Sequence, residues 1–534
     1  MERKTVCALI DCSRNAVMTV PSLKKFITLL SEIGYNAVML YTEDTYELPG
    51  YKLFGYMRGG YTKAELKELD EFARGLGVEM IPCVQMLAHL TCTIRWGELP
   101  RDTEDILLVD DEGTYKYIET VFETMSECFS TRRMHIGLDE ADLLGRGRFL
   151  RTHDYEPQLS ILRRHMEKIQ KIASKYGYSL IVWSDMFFND LVVPGHSIDK
   201  VELPDYIKNS LPEGIIPAYW DYYTTTEEKY DAMLYNHRQL SKDVWYTGCI
   251  WGWKGIVPHN KFSIRTIRPA IDACDKNGVN NIVVAMWGDD GAECSHYSQL
   301  PSIYYVGQYA SGVHDEGEIK AGFEKKFGIP FDEYICVDLP NQPGSGKWGE
   351  HFKNPAKYML YSDYFNGYND YSVNEADEHI YTECIAKLDG IASYGGEYSY
   401  VFEALAALCR VLEKKYTLGV KTRRAYKSGD KQELGRLVAE RYEPLSELIR
   451  DFHSKFSVQW HKENHPSGFD VQDLRIGGLL ARTESCLRRL KDYIDGSVDS
   501  IPELEVDIVP LGNVGESRSI MGPYLYTPNR YTST

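Results

Sequence analysis

Eight short, nearly continuous apolar runs, each followed by a stretch of different periodicity, constrain this chain more than any other feature. They are "TVCALIDC" (5–12), "NAVMLYT" (36–42), "VEMIPCV" (78–84), "RMHIGLD" (133–139), "YSLIVWSD" (178–185), "IIPAYWD" (215–221), "VWYTGCIW" (244–251) and "NIVVAMWGDD" (281–290). A strand covered on both faces needs apolar residues on both, so continuous runs mark parallel strands buried between layers. After the first run, Leu23, Phe26, Leu29, Leu30 and Ile33 recur at helical spacing. After the second, "YTKAELKELDEFARGLG" carries the same period and meets Gly75 and Gly77 near its end. Eight strand–helix units in roughly 310 residues predict a (β/α)8 TIM barrel with enlarged loops. A doubly wound open sheet is the rival, but no Gly-rich phosphate turn follows the first run.

Beyond about residue 315 the pattern changes. "DLPNQPGSGKWGEHFKNPAKYMLYSDYF" (338–365) is rich in Gly, Pro and aromatics and reads as an ordered connector. Helical periodicity then dominates, as in "YSYVFEALAALCRVLEKKYTLG" and "RIGGLLARTESCLRRLKDYIDG". The expected layout is α/β: a barrel over 1–330, a connector over 331–350, a mainly α-helical C-terminal domain over 351–500 and a tail over 501–534.

The balance of 78 acidic to 60 basic residues, net −18, disfavours nucleic acid and anionic membranes, which both need a basic footprint. No stretch approaches the ~18 apolar residues of a membrane span. The first apolar run meets Asp11 and Arg14 too soon for a secretory segment. Twelve cysteines stand singly without CxxC spacing, which fits reduced thiols and a cytoplasmic location. The 39 Tyr, 18 Phe and 9 Trp are a heavy aromatic load; such rings usually fill a core, but sugar clefts also use their flat apolar faces.

Barrel active sites are built at the C-terminal ends of the strands. Those ends read Asp11 and Arg14; Glu43 and Asp44; Gln85 and His89; Asp139 and Glu140; Trp183 and Asp185; Trp220 and Asp221; Trp251 and Trp253; Trp287, Asp289 and Asp290. The adjacent acids of the fourth end stand out. Glycoside hydrolysis usually needs two carboxyl groups flanking the bond, roughly 5–9.5 Å apart, and sequence neighbours do not straddle a sugar ring in that way. Both can act on one side if the substrate supplies the nucleophile. A 2-acetamido carbonyl does so by attacking C1 to form an oxazolinium ion. Glu140 would then protonate the leaving oxygen, and Asp139 would orient the acetamide N–H and oppose its developing charge. The plain alternative is a pair of acids favoured at a helix N-terminus.

"HIGLDEA" (135–141) resembles the His-x-Gly-x-Asp-Glu signature of glycoside hydrolase family 20, the β-N-acetylhexosaminidases. "LIDCSRNAV" resembles the family's first-strand segment, which implies that Arg14 holds sugar hydroxyls, and "NAVMLYTEDTYEL" its second, ending in Glu43 and Asp44. "VEMIPCVQMLAHL" stands where the family has a proline and a histidine, here Pro82 and His89; the implied role of His89 is a relay between Glu43 or Asp44 and Glu140. Trp183, Trp220 and Trp287 fall where pocket tryptophans occur. Trp251 and Trp253 are expected on the leaving-group side, with Tyr246 as a hydroxyl to the acetamide oxygen and Asp289 as the contact to the 4- or 6-hydroxyl. His135 is expected as a buried scaffold, and His465 and Arg475 as structural. The helical region resembles that of a subgroup with a C-terminal helical domain.

Three departures stand out. Leu87-Ala88-His89 replaces Pro-Gly-His with Gln85 before it; Trp287-Gly288-Asp289 replaces Trp-x-Glu; and, with the first run already at Thr5, the family's small α/β domain before the barrel is expected to be missing. Neither a first-strand HxH nor HExxH supports a metal site, and the chitinase DxxDxDxE strand end is missing. The resemblance implies a cofactor-free, retaining, exo-acting hydrolase for glycans with a terminal β-linked N-acetylhexosamine, with homodimerisation left open. The alternatives are a non-catalytic amino-sugar-binding barrel, or a glycosidase of the same family tuned to sulfated or disaccharide units.

Overall fold

The computed structural model describes residues 4–192, 197–289, 291–342, 354–367 and 369–508. Eight parallel strands close into a barrel in simple chain order: β1 (Thr5–Asp11), β2 (Ala37–Thr42), β3 (Glu79–Val84), β4 (Arg133–His135), β5 (Ser179–Trp183), β6 (Ile216–Trp220), β7 (Trp245–Cys249) and β8 (Asn281–Met286). The register pairs Cys7 with Ala37 on one side of β1 and Thr5 with Asn281 on the other. Alternation along each strand makes two cores. Cys7, Leu9, Met39, Ile81, Cys83 and Ala285 fill the barrel, while Val6, Ile10, Val38, Leu40 and Val284 face the helices.

The outer helices are α1 (Val20–Glu32), α2 (Lys63–Gly75), α3 (Glu112–Cys128), α4 (Gln158–Lys175), α5 (Glu227–His237), α6 (Asn260–Asn277) and α7 (Leu300–Ala310). The first three start on a capping side chain, Thr19 at α1, Thr62 at α2 and Asp111 at α3, and Thr62 with Glu65 forms a reciprocal capping box. The fifth crossover differs from the repeat. Among the described residues, only short helices, Asp185–Phe188 and Asp205–Lys208, lie between β5 and β6, in a segment broken by Pro204, Pro212 and Gly214.

The expected strand over 133–139 also ends early, at His135. Gly137 and Leu138 have φ of +71° and +76°, and a left-handed residue cannot continue an extended chain. This break turns the two acids that follow up onto the rim.

The first part of the expected connector is helical, as Phe331–Tyr334 and the 3-10 segment Ile335–Asn341. Its remainder over 343–350 lies outside the described residues, as do 509–534 of the expected tail. The C-terminal region is built from α8 (Pro355–Tyr361), α9 (Ile380–Ala392), α10 (Ser399–Lys415), α11 (Glu443–Glu463) and α12 (Phe469–Asp495). Helix α10 is its centre, packed against α9 and α11, and α11 packs on α12. The region folds back over the barrel rim: Thr19 N donates to Glu463 O (3.2 Å) and His465 N to Val17 O (2.8 Å). Among the described residues, no helix is long and apolar enough to cross a membrane.

Candidate active site

A cavity of about 130 Å³ opens at the C-terminal ends of the strands, lined by Arg14, Tyr41, His89, Asp139, Glu140, Trp183, Trp220, Tyr222, Tyr223, Trp253, Trp287 and Asp289. Its floor is assembled from strand ends. Asp11 closes the seam between β1 and β8: its Oδ2 accepts from Gly288 N (2.9 Å) and from Arg14 Nη1 (3.2 Å). Arg14 therefore lies over the rings of Tyr41 and Trp287, 5.1 and 5.7 Å from their centres, and reaches Glu43 (3.6 Å) and Asp289 (3.9 Å). Burial opposes its charge, but the surrounding anions, Asp11 foremost, hold its pKa well above the ordinary value. Burial also pushes Glu43 up to about 7 against the pull of Arg14.

The acids come next. Gly137 must be glycine: a Cβ there would sit 1.9 Å from Gln85 Oε1. That close approach lets Gln85 Nε2 donate to Asp139 Oδ1 (2.8 Å) and to Tyr41 OH (2.9 Å), while Leu138 N donates back to Gln85 Oε1 (3.3 Å). His89 Nε2 lies 3.3 Å from Asp139 Oδ2 and 3.6 Å from Glu140 Oε2. Both carboxyl groups thus meet one nitrogen, on one side of the pocket. They differ in depth, with the Asp139 side chain 14% exposed and that of Glu140 49%.

This environment drives the two acids apart. Burial would raise Asp139, but the charge of His89, 3.3 Å away, and the hydrogen bond from Gln85 hold it below the usual carboxylate range. Glu140 is raised, by burial and by the neighbouring Asp139 charge. Burial likewise works against a charged His89, yet Asp139 lifts it to about 9. His135 has no such carboxylate at contact distance. Fully buried, with Nδ1 accepting from Gly137 N (3.1 Å), it is pushed down to about 3 and stays neutral. Asp185 on the β5 end fastens the acid's backbone, accepting from Glu140 N (2.8 Å) and from Trp220 Nε1 (3.3 Å). Glu140 is held there at a φ of +50°.

Aromatic rings form the walls. Trp220 stacks on Tyr222 (5.0 Å, 28°), Trp287 Nε1 donates to Tyr222 OH (3.0 Å), and Trp253 meets Tyr222 edge-on. Trp183 is buried with its Nε1 unpartnered. Tyr41, Tyr222 and Tyr223 line the cavity beyond the residues expected from the sequence, and Trp253, expected on the leaving-group side, lines it as well. A "WDYY" at a strand end and the parity of Tyr41 with Met39 are the sequence signals for three of them.

Several expected contacts are placed elsewhere. Tyr246 points away from the pocket, because the inward positions of β7 are Trp245 and Cys249. Instead it packs on Tyr219 and Tyr230 and donates to Asp221 O (3.3 Å). Trp251 lies behind Trp253, ring centres 3.9 Å apart, its Nε1 donating to Tyr222 O (3.0 Å). Asp44 is fully buried and engaged by Arg58 Nε (3.1 Å), away from the expected relay, whereas Glu43 pairs with Arg14 and also feels the charge of His89. Asp290 lies outside the described residues. Among the described residues, no group of three or more His, Cys, Asp or Glu side chains is placed to hold a metal ion.

Comparison with known proteins fits this geometry. The model described as glycosyl hydrolase family 20, catalytic domain, matches residues 42–246, and that described as glycoside hydrolase 20C C-terminal domain matches 332–521. Arg14, Trp251, Trp287 and Asp289 fall outside both matches. Beta-hexosaminidase 3 of Arabidopsis thaliana is 26% identical over 207 residues, covering 34% of this chain and 37% of that protein. Hexosaminidase D of Bos taurus is 22% identical over 234 residues, covering 42% and 64%. The chain thus matches between 37% and 64% of the length of these relatives. The solved GH20 beta-N-acetylhexosaminidase from Streptomyces coelicolor A3(2) is 18% identical, covers 60% of this chain and 69% of its own, and superposes with a TM-score of 0.44, too loosely to carry an argument. Two models specific to one family, one on the barrel and one on the helices behind it, decide the matter: the chain belongs to glycoside hydrolase family 20.

Proposed function

We propose that the chain is an exo-acting, retaining β-N-acetylhexosaminidase that releases terminal GlcNAc or GalNAc through an oxazolinium ion. One observation carries this reading: neighbouring carboxyl groups share one histidine, yet one is held charged and deep while the other is raised and at the mouth. Acids whose pKa values are pushed apart take different roles. Two acids on the same side fit a substrate that brings its own nucleophile better than a bond flanked by enzyme carboxylates.

In this mechanism the acetamide carbonyl oxygen attacks C1, the C1–O bond breaks, and Glu140 gives its proton to the departing oxygen. The Asp139 carboxylate accepts the acetamide N–H and opposes the positive charge of the ring that forms. Glu140, now ionised, takes a proton from the water that reopens the ring at C1, and the configuration is retained. Trp183, Trp220 and Trp287 enclose the sugar, with the free Trp183 Nε1 as a spare donor. Arg14 and Asp289, 3.9 Å apart, take ring hydroxyls, and Tyr222 and Tyr223 supply the hydroxyl groups first expected of Tyr246.

The same reading divides the chain into a catalytic barrel (1–330), a connector (331–350), a helical domain (351–500) and a tail (501–534). Substrates are glycans ending in a β-linked N-acetylhexosamine. Twelve free thiols support a cytoplasmic location. The test is a pair of aryl glycosides. The N-acetyl-β-glucosaminide should be cleaved and inhibited by GlcNAc-thiazoline, and the plain β-glucoside should be inert. Efficient cleavage of the plain glucoside would refute substrate assistance.

A further inference from the structure

We propose that Arg475 and Lys357, from the helical region, are positioning residues of the sugar pocket: through Glu293 they hold the loop that presents Asp289 and so tune recognition of the sugar's ring hydroxyls. The inference rests on the functional reading above.

The loop after β8 carries pocket residues at one end and Glu293 at the other. The Glu293 side chain is 1% exposed and lies between two cations from separate helices: Lys357 Nζ of α8 at 2.6 Å and Arg475 Nη1 of α12 at 2.8 Å. Lys357 is itself fully buried. Between clamp and pocket, Ala292 N donates to Gly288 O (2.6 Å), which ties the Glu293 end of the loop to its pocket end. On the pocket side, Gly288 N is fastened to Asp11, the residue that also holds Arg14. On the helical side, Gly291 has a φ of +100°, and a Cβ there would meet Gln472 Nε2 and Arg475 Nη1 at 3.1 and 3.2 Å. Helix α12 thus lies directly on the turn that carries Asp289.

Lys357 reaches the neighbouring loop as well. Its Cδ would lie 2.8 Å from a Cβ at Gly255, and Asn354 Nδ2 donates to Val257 O (3.1 Å). The loops bearing Trp253 and Asp289 therefore converge on one buried lysine, the first on its aliphatic stem and the second, through Glu293, on its ammonium. Buried ion pairs contribute little to stability compared with apolar packing of similar volume, whereas breaking one leaves an uncompensated charge. A clamp of this kind holds geometry at some cost in stability, and here the geometry held is the sugar-facing edge of the pocket.

The test is a double-mutant cycle in the full-length protein, with kcat and KM measured on aryl N-acetyl-β-glucosaminide and galactosaminide. Arg475→Met should raise KM about tenfold with little change in kcat, the size expected of a small misplacement. Arg475→Lys, which keeps the cation, should restore most of the loss, and Lys357→Met should act in the same direction as Arg475→Met. In an Asp289→Ala background, Arg475→Met should change KM no further, since nothing is left for the clamp to place. Equal losses with and without Asp289, or an unchanged KM in a folded Arg475→Met protein, would overturn the proposal. Calorimetric titration of the wild type with N-acetylglucosamine separates the two ideas. The absence of both binding and turnover overturns the functional reading and this proposal with it, whereas binding with additive losses overturns the clamp alone.

Discussion

Asp139→Asn keeps the side chain's volume and removes its charge, and the structure says how far that should reach. Asp139 Oδ2 is 3.3 Å from His89 Nε2, and burial alone would push that imidazole down, as it does His135. Raising His89 from 6.5 to about 9 against burial stores about 3 kcal/mol of attraction. The depressed pKa of Asp139 is the same interaction, counted once. The sign follows from the direction: a histidine raised on folding contributes fully below pH 6.5 and loses that contribution as pH climbs through about 9. Urea unfolding should therefore place Asp139→Asn about 3 kcal/mol below the wild type at pH 6, with the gap closing by about pH 10. By NMR, His89 of the variant should titrate below 6.5, its ordinary value. Turnover should fall at least a hundredfold, the ~3–4 kcal/mol of a preorganised electrostatic group. A His89 still titrating near 9, or a stability gap independent of pH, would refute the pairing from which the two acids' roles are derived.

Other perturbations test separate parts of the site. Glu140→Gln should cost about 10²–10⁴-fold on substrates with poor leaving groups and far less on those with an acidic phenol; equal losses on both would contradict its role as proton donor. Azide should not restore turnover of Asp139→Ala by way of an inverted α-glycosyl azide, a product that NMR would detect and that a covalent Asp139 requires. Gly137→Ala meets Gln85 Oε1 at 1.9 Å and adds about 1–2 kcal/mol of left-handed strain, so both the melting temperature and kcat should drop as Gln85 leaves Asp139. Asp44→Asn should destabilise the fold by about 3 kcal/mol, through the charge left on Arg58, with KM unchanged. A raised KM would return Asp44 to the pocket.

The barrel was legible because continuous burial of a parallel strand is written locally, residue by residue, in runs such as "TVCALID" and "NIVVAM". The adjacent acids beyond the fourth run were legible too, though the strand itself stops at His135, as were Arg14, His89 and Trp183, Trp220 and Trp287 at the tips. What the sequence hid depends on parity and on distance through space. One residue of register turns Tyr246 out of the pocket, while the turn after Trp220 brings Tyr222 and Tyr223 in. The fate of Asp44 was set by Arg58, on the far side of a loop. The split between Asp139 and Glu140 could not be read from two letters side by side, since burial and a histidine 50 residues upstream of Asp139 create it. The clamp on Asp289 joins Glu293 to Arg475 across 182 residues. Coulomb interactions and desolvation act over a few ångströms of space and are indifferent to separation along the chain. The sequence by itself therefore determined which side chains crowd the rim, and only the closed barrel with helices folded over it decided which of them meet and which carry charge.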